Sequence, residues 1–144
     1  MKTTDFRNAA KKHYQTCKFI LDGLERGYQQ NKDEIYSNLY YISGYIIECI
    51  LKYAKLNHMR ITNISDENLV NLRLKKHKIP QLYADVMDMI EVDRSLKKNL
   101  PKHYVYWDPK IRYENCRSHK QLLNDITDKF DEFVEPLYKY FYNR

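Results

Sequence analysis

The sequence has few of the residues that form turns. Its 144 residues include only three glycines and four prolines. A sheet of many strands needs a glycine, proline or asparagine turn about every eight to twelve residues. The composition therefore argues against a β-rich protein, and we expect an all-α fold.

Cysteine is also scarce. Cys17, Cys49 and Cys116 are odd in number, widely spaced and without a CxxC pair, which argues against a disulfide framework and against a zinc site. The sequence has no G-x-x-x-x-G-K or G-x-G-x-x-G segment that would hold the phosphates of a nucleotide. We expect a protein without a metal or another cofactor, in a reducing cytoplasm.

Long hydrophobic runs are absent as well. No segment reaches the roughly 18 uncharged apolar residues that a membrane span requires. The N-terminus, "MKTTDFRNAAKKHY", lacks the apolar centre of a secretory signal. We therefore expect a soluble cytoplasmic protein that does not contact membranes. With 43% hydrophobic residues the chain is long enough to bury a core, and we expect a single domain over residues 1–144.

The chain carries a net charge of +6. Its lysines are spread over "AAKKHY", "RLKKHK" and "SLKKNL" and do not form one arginine-rich block. Two explanations fit this distribution. One is a surface that binds nucleic acid, and the other is the general solubility of a mildly basic domain.

The spacing of the apolar residues predicts four long helices. The first runs from about Thr4 to Gln29, with Thr4 or Asp5 as its cap. Its apolar positions are Ala9, His13, Tyr14, Cys17, Phe19, Ile20, Leu21, Leu24 and Tyr28. The second begins after "NKDE", whose acids suit a first turn, and continues to about Asn57. Because it is apolar on most sides, we expect it at the centre of a helical bundle.

The other two long helices lie in the C-terminal half. One begins near Pro80 and fades by about Asn99. The last begins at Ser118, which forms an S-x-x-Q capping box with Gln121, and Pro136 should bend it or end its regular part. Together the four helices predict an antiparallel up-and-down four-helix bundle.

Two connections in this bundle have features of their own. Residues 58–78 are polar and contain a possible short helix in "SDENLVNLRL", which Ser65 could cap. The segment "LPKHYVYWDPKIRYENCR" has two prolines and many aromatic residues, so it should form an ordered aromatic connection before the last helix.

The apolar second helix carries a charged pair. Glu48 and Lys52 stand at i and i+4, the favourable order for an ion pair along a helix. The pair either lets a buried helix reach the surface of the bundle or forms a polar element that lines a cleft. Gly44 in the same helix costs about 1 kcal/mol relative to alanine, which suggests the close approach of another helix.

Three segments together carry a resemblance to a known family: "GYIIECILKY" at residues 44–53, "HKIPQLY" at residues 77–83 and "YWDPKIRYE" at residues 106–114. They resemble the HEPN superfamily, small all-helical domains whose second long helix reads G-Y-x-x-E-x-x-L-K. The resemblance covers about residues 5–142. It implies an antiparallel helical bundle that forms a homodimer. It also implies a cleft or binding region with these residues: Glu48, Lys52, His77, Trp107 and Tyr113.

The resemblance implies two classes of function. Many HEPN proteins are metal-independent endoribonucleases in phage defence, toxin–antitoxin pairs or RNA processing. Others have lost catalysis and bind nucleic acid, a nucleotide or a partner protein. A nucleotidyltransferase or an antitoxin is the kind of partner that we would expect for this chain.

HEPN ribonucleases carry an arginine followed closely by a histidine, and Arg112 and His119 match this signature with "YENCRS" between them. Tyr113 departs from it, because such enzymes usually have a polar residue after the arginine. The histidine can move the proton of the 2′-hydroxyl or of the leaving group, and the arginine can hold the phosphate. If the last helix begins at Ser118, their convergence depends on how the preceding loop folds.

Structural explanations exist for each of these residues. Arg112 could stack on Trp107 or pair with a carboxylate, and His119 could be a solvated residue at a helix start. We expect structural roles for His13 and His77. The aromatic side chains of the connection either stack on nucleic-acid bases or close one end of the bundle. These side chains are Tyr104, Tyr106 and Trp107.

Overall fold

The computed structural model describes residues 1–27, 30 and 32–144. Within these residues the chain forms helices and no β-strand, so the predicted all-α class is confirmed. The α-helices are α1 (Thr3–Glu25), α2 (Lys32–His58), α3 (Asp66–Asn71), α4 (Ile79–Met89), α5 (Lys102–Val105), α6 (Lys120–Leu123), α7 (Ile126–Lys129) and α8 (Glu135–Tyr142). Short 3₁₀ helices cover Arg94–Leu96, Pro109–Tyr113 and Cys116–His119, and a π-helix covers Phe130–Val134. No helix in the described ranges is long and apolar enough to cross a membrane.

Helix α1 begins before its predicted cap. Lys2 is the N-cap residue, and its backbone N–H donates to the carboxylate of Asp5 at 2.7 Å, so Asp5 lies within the first turn. The helix ends at Glu25, and Gly27 follows with a φ of 87°, a left-handed conformation that favours glycine. The predicted end at Gln29 and the predicted core residue Tyr28 lie outside the described residues.

One of the apolar positions of α1, Phe19, does not contribute to the core. Phe19 is 81% exposed, whereas Cys17 and Leu21 of the same helix are buried. Residues two apart on a helix point in directions about 200° apart, so Phe19 lies on the opposite face from its buried neighbours.

Helix α2 is the central element of the core. Asp33 and Glu34 lie in its first turn, as predicted, where carboxylates are favoured by the helix dipole. Every residue from Ile46 to Leu56 is buried, so the helix is enclosed on all sides over this stretch. It packs against α1, α4 and α8. The prediction of a central apolar helix is confirmed.

The polar connection after α2 contains the short helix that the sequence predicts. The hydroxyl of Ser65 accepts the backbone N–H of Asn68 at 3.1 Å, and the side chain of Asn68 accepts the N–H of Ser65 at 3.1 Å. Helix α4 has Pro80 in its first turn, as expected. It ends at Met89, so the prediction that this helix fades only near Asn99 is wrong.

The last helix differs most from its prediction. Ser118 and Gln121 do not form its capping box, because the hydroxyl of Ser118 donates to the carbonyl of Asn115 at 2.6 Å. The side chain of Asn115 accepts the N–H of Arg117 at 3.0 Å and starts a 3₁₀ helix at Cys116. An asparagine side chain that bonds its own backbone two residues on favours such a turn over a regular helix start.

Residues 116–142 consequently form a series of short helices and not one long one. Pro136 has no N–H, so it cannot bond the carbonyl of Glu132 four residues earlier. The amine of Lys98 donates to that carbonyl at 3.3 Å. The π-helix Phe130–Val134 directly precedes α8, which has Pro136 in its first turn. The irregularity expected at Pro136 therefore takes the form of a π-helical turn.

Candidate functional site

The aromatic connection is ordered and fastened to α2. Trp107 is 3% exposed, and its indole N–H donates to the carbonyl of Tyr41 at 3.1 Å. The indole lies against Gly44, where an added methyl group would overlap it. The close approach predicted at Gly44 is therefore made by an aromatic side chain and not by another helix. Tyr104 is also buried, whereas Tyr106 is 71% exposed, so only Tyr106 of the three is free to stack on a base.

The predicted pair of Glu48 and Lys52 is formed and fully buried. The Nζ atom of Lys52 donates to Oε1 of Glu48 at 2.7 Å, and the two side chains are only 5% and 3% exposed. The same Oε1 atom lies 2.5 Å from Nδ1 of His77, whose ring is half exposed. The carboxylate thus connects α2 to the segment that precedes α4.

His13 and His77 pack around the ring of Tyr45. The ring of His13 stacks on Tyr45 with centroids 5.5 Å apart, and the edge of Tyr45 meets the rings of His77 and Trp107. Burial and the nearby charge of Lys12 lower the pKa of His13, and Glu48 opposes them more weakly. His13 is therefore neutral at pH 7. Both histidines therefore pack on side chains of α2.

A basic pocket of about 550 Å³ opens around His119. Four cationic side chains line it together with one carboxylate, that of Glu114. The cations are Lys102, Lys110, Arg117 and Lys120. Tyr106 and Tyr40 supply aromatic surface to the same pocket. The pocket can accept an anionic group because positive charge exceeds negative charge in its lining.

Arg112 lines a second cavity, which we call the Arg112 groove, of about 620 Å³. Its lining includes Ser37, Tyr41 and two carboxylates, those of Glu34 and Glu114. The groove shares Glu114 and Ile111 with the basic pocket. Arg112 and His119 therefore lie in adjacent cavities and not in one.

The contacts of Arg112 differ from the structural explanation considered above. Its guanidinium carbon lies 5.7 Å from the ring centroid of Tyr113, not over Trp107. Tyr113 is itself 83% exposed. Within the described residues, no carboxylate lies within ion-pairing distance of Arg112. The arginine is exposed and available to an external anion.

His119 is buried, contrary to the expectation of a solvated residue at a helix start. It is 8% exposed and packs against the ring of Tyr40 at 5.7 Å. Its Nε2 atom lies 2.8 Å from the hydroxyl of Ser37 on α2. The other ring nitrogen, Nδ1, is 3.8 Å from a carboxylate oxygen of Glu114 and 3.5 Å from the hydroxyl of Ser118. Both ring nitrogens thus face polar partners.

The sequence reasoning missed several residues of this region, namely Ser37, Glu114 and the four cations of the basic pocket. The cations come from α5, from the two 3₁₀ helices at 109–113 and 116–119, and from the start of α6. No sequence spacing brings Lys102 next to Lys120. The only signal in the sequence was the number of cationic residues between positions 102 and 120, which are interspersed with aromatic residues.

The arrangement can hold a phosphate ester and move a proton beside it. Cations and an exposed tyrosine supply binding, and the contact between Ser37 and His119 supplies a path for a proton. Within the described residues, no group of three His, Cys, Asp or Glu side chains is placed to hold a metal ion.

Comparisons with protein-family models, with curated proteins and with solved structures gave no match for this chain.

Proposed function

We propose that this chain is a HEPN-like protein that binds single-stranded RNA, with the phosphate backbone in the basic pocket. The observation that carries the proposal is the convergence of Lys102, Lys110, Arg117 and Lys120 on one cavity. Lysine and arginine contacts to phosphates supply most of the affinity of a protein for nucleic acid. The single carboxylate of Glu114 leaves the pocket with an excess of positive charge.

The aromatic residues favour a single strand over a duplex. Tyr106 lies in the lining of the basic pocket and is 71% exposed. Unpaired bases can stack on an exposed ring, and such stacking contributes about 1–3 kcal/mol per base. Bases in a duplex are stacked on each other and cannot use this surface.

The assembly that we propose is a homodimer of HEPN-like four-helix bundles. The packing of α2 against α1, α4 and α8 supports an antiparallel bundle, with the irregular segment 116–142 in the place of a fourth helix. A two-fold partner could bring a second Arg112 to the His119 pocket. Light scattering at tens of micromolar should give a dimer, and a monomer would contradict this assembly. We propose a cytoplasmic location and a nucleotidyltransferase or antitoxin as the class of partner protein.

RNA binding is tested by fluorescence anisotropy with a labelled single-stranded oligonucleotide at several salt concentrations. The double variant Lys102→Gln, Arg117→Gln should bind more weakly. Its plot of log affinity against log salt should be shallower by about 0.7 for each lost phosphate contact. The double variant Lys11→Gln, Lys12→Gln, at two exposed positions of α1, removes the same charge and is the matched control, which should bind as the wild type does. Equal losses in both variants would mean that the protein binds through its net charge and not through the pocket.

A second candidate function is metal-independent cleavage of the bound RNA by Arg112 and His119. The specific observation in its favour is that an oriented histidine and an exposed arginine line adjacent cavities beside the basic pocket. In such a reaction histidine transfers a proton, while arginine stabilises the charge that develops on the phosphate.

Cleavage is tested in the presence of EDTA, with analysis of the RNA ends. The expected products carry 2′,3′-cyclic phosphate and 5′-hydroxyl ends. His119→Gln should abolish cleavage and retain binding, whereas Arg112→Ala should weaken both, provided that circular dichroism shows both variants to be folded. Wild-type protein that binds RNA at low salt and never cuts it, with or without a partner, would leave only the binding function.

A further inference from the structure

We propose that Ser37 is a catalytic residue that relays a proton between the Arg112 groove and the buried His119. This inference rests on the endoribonuclease candidate of the preceding section. It explains how His119, which is only 8% exposed, acts on an RNA strand that extends from the basic pocket into the adjacent Arg112 groove.

Ser37 occupies the position that a relay requires. Its hydroxyl lies 2.8 Å from Nε2 of His119, which lines the basic pocket. The same side chain lines the groove that contains Arg112. Ser37 is therefore in hydrogen-bond contact with the histidine on one side and accessible from the groove on the other. Because Ser37 and Arg112 line the same groove, a nucleotide whose phosphate contacts Arg112 lies in the groove that Ser37 lines.

The partners of the other ring nitrogen favour the tautomer that the relay needs. A carboxylate oxygen of Glu114 lies 3.8 Å from Nδ1 of His119, and negative charge near a ring nitrogen favours a proton on that nitrogen. Nε2 then carries the lone pair and accepts the hydrogen bond that the Ser37 hydroxyl donates. Serine, histidine and carboxylate follow one another here as they do in a catalytic triad. In a triad the carboxylate orients the imidazole, which then accepts a proton from the hydroxyl group.

The step balances with water as the only further reactant. The 2′-hydroxyl gives its proton to the oxygen of Ser37 while Ser37 gives its own proton to Nε2 of His119. The 2′-oxygen forms a bond to phosphorus, and the bond from phosphorus to the 5′-oxygen breaks. A water molecule on the opposite side of phosphorus gives a proton to the 5′-oxygen as it leaves, and His119 then returns its proton to the hydroxide that remains. The products are a 2′,3′-cyclic phosphate and a 5′-hydroxyl, and the side chains end in their initial state.

The test compares kcat, the pH profile and the RNA affinity of Ser37 variants in EDTA. Ser37→Ala should lower kcat about 100-fold or more, the usual contribution of a proton-transfer group, and leave the RNA dissociation constant within about twofold. Ser37→Thr retains the hydroxyl and should restore much of the rate. In mixtures of water and heavy water, the wild-type rate should depend nonlinearly on deuterium content because two protons move together. Ser95→Ala, an exposed serine outside both cavities, is the matched control.

Each outcome decides one proposal. A Ser37→Ala enzyme with the wild-type rate would overturn the relay and leave RNA binding and cleavage standing. If wild-type protein binds RNA and does not cut it, the relay is also overturned, whereas absence of RNA binding overturns the proposed function itself. If Ser37→Ala does not fold, Glu114→Gln takes its place, because Glu114 is exposed. This substitution removes the charge that favours a proton on Nδ1 of His119, so it should lower kcat at least tenfold. An unchanged rate in that variant would contradict the relay.

Discussion

Trp107 fills the space that a side chain at Gly44 would need. Its indole packs on the bare backbone of α2 at that position and donates a hydrogen bond to Tyr41 one turn earlier. This contact holds the aromatic connection against the central helix. Both cavities of the candidate site are lined in part by residues that follow Trp107 in this connection.

Gly44→Ala should therefore destabilise the protein although alanine is the better helix former. We expect a loss of about 1–3 kcal/mol or more in the free energy of unfolding, because the new methyl group must displace a buried indole. Gly23→Ala in α1 is the matched control. A Cβ there meets nothing within 4 Å, so that change should stabilise the protein by up to about 1 kcal/mol. Urea denaturation followed by circular dichroism measures both, and equal stability of the two variants would contradict the contact.

Glu48→Ala should leave the ammonium group of Lys52 buried without a partner. Breaking a buried ion pair by removing one member costs about 3–5 kcal/mol, and we expect a loss in this range. The control is Glu132→Ala, which removes the exposed ion pair with Lys129, and pairs of that kind contribute at most about 1 kcal/mol. Thermal and urea unfolding compare the two variants. A Glu48 variant as stable as the control would show that water or another group replaces the lost carboxylate.

The three cysteines should differ in their reactivity towards a thiol reagent. Burial raises the pKa of Cys17 to about 12 and, with a smaller contribution from Glu48, raises the pKa of Cys49 to about 12. Few thiolates form there at pH 8, whereas Cys116 is partly exposed. Native protein should react rapidly at one thiol, and Cys116→Ser should abolish that fast phase. Rapid reaction of all three thiols in the native state would contradict the burial of Cys17 and Cys49.

The protein should lose stability in acid when Asp85 is protonated. Its burial by itself would raise the pKa, but hydrogen bonds from Lys55 and Gln81 outweigh burial and hold the pKa below the usual 3.8. The ion pair with Lys55 therefore contributes stability above the unfolded-state pKa, and this contribution is lost as the pH falls through the lower folded-state value. Asp85→Asn should weaken the dependence of the unfolding free energy on pH below about pH 4. Asp22→Asn, a change at an exposed residue of α1, is the control and should leave the free energy of unfolding at neutral pH unchanged.

The sequence predicted those features that depend on residues close to one another in the chain. The long apolar run of α2, its acidic first turn, the ion pair of Glu48 with Lys52 and the Ser65 cap each depend on residues within a few positions of one another. Short-range periodicity and capping depend on residues that are close in sequence, so the sequence alone reveals them. The capping box at Ser118 failed because Asn115, three residues earlier, offered the backbone a competing turn.

What the sequence by itself determined is the all-α class and the central helix, and it singled out Arg112 and His119 as candidate site residues. Only the tertiary structure decided where these residues point. His119 became buried against Tyr40 and Ser37, and Arg112 remained exposed in a neighbouring groove. The same folding brought together four cations that no spacing connects. The orientation of a short helix depends on the surface against which it packs. Here the packing of Trp107 on Gly44 fixes the connection that carries the short helices.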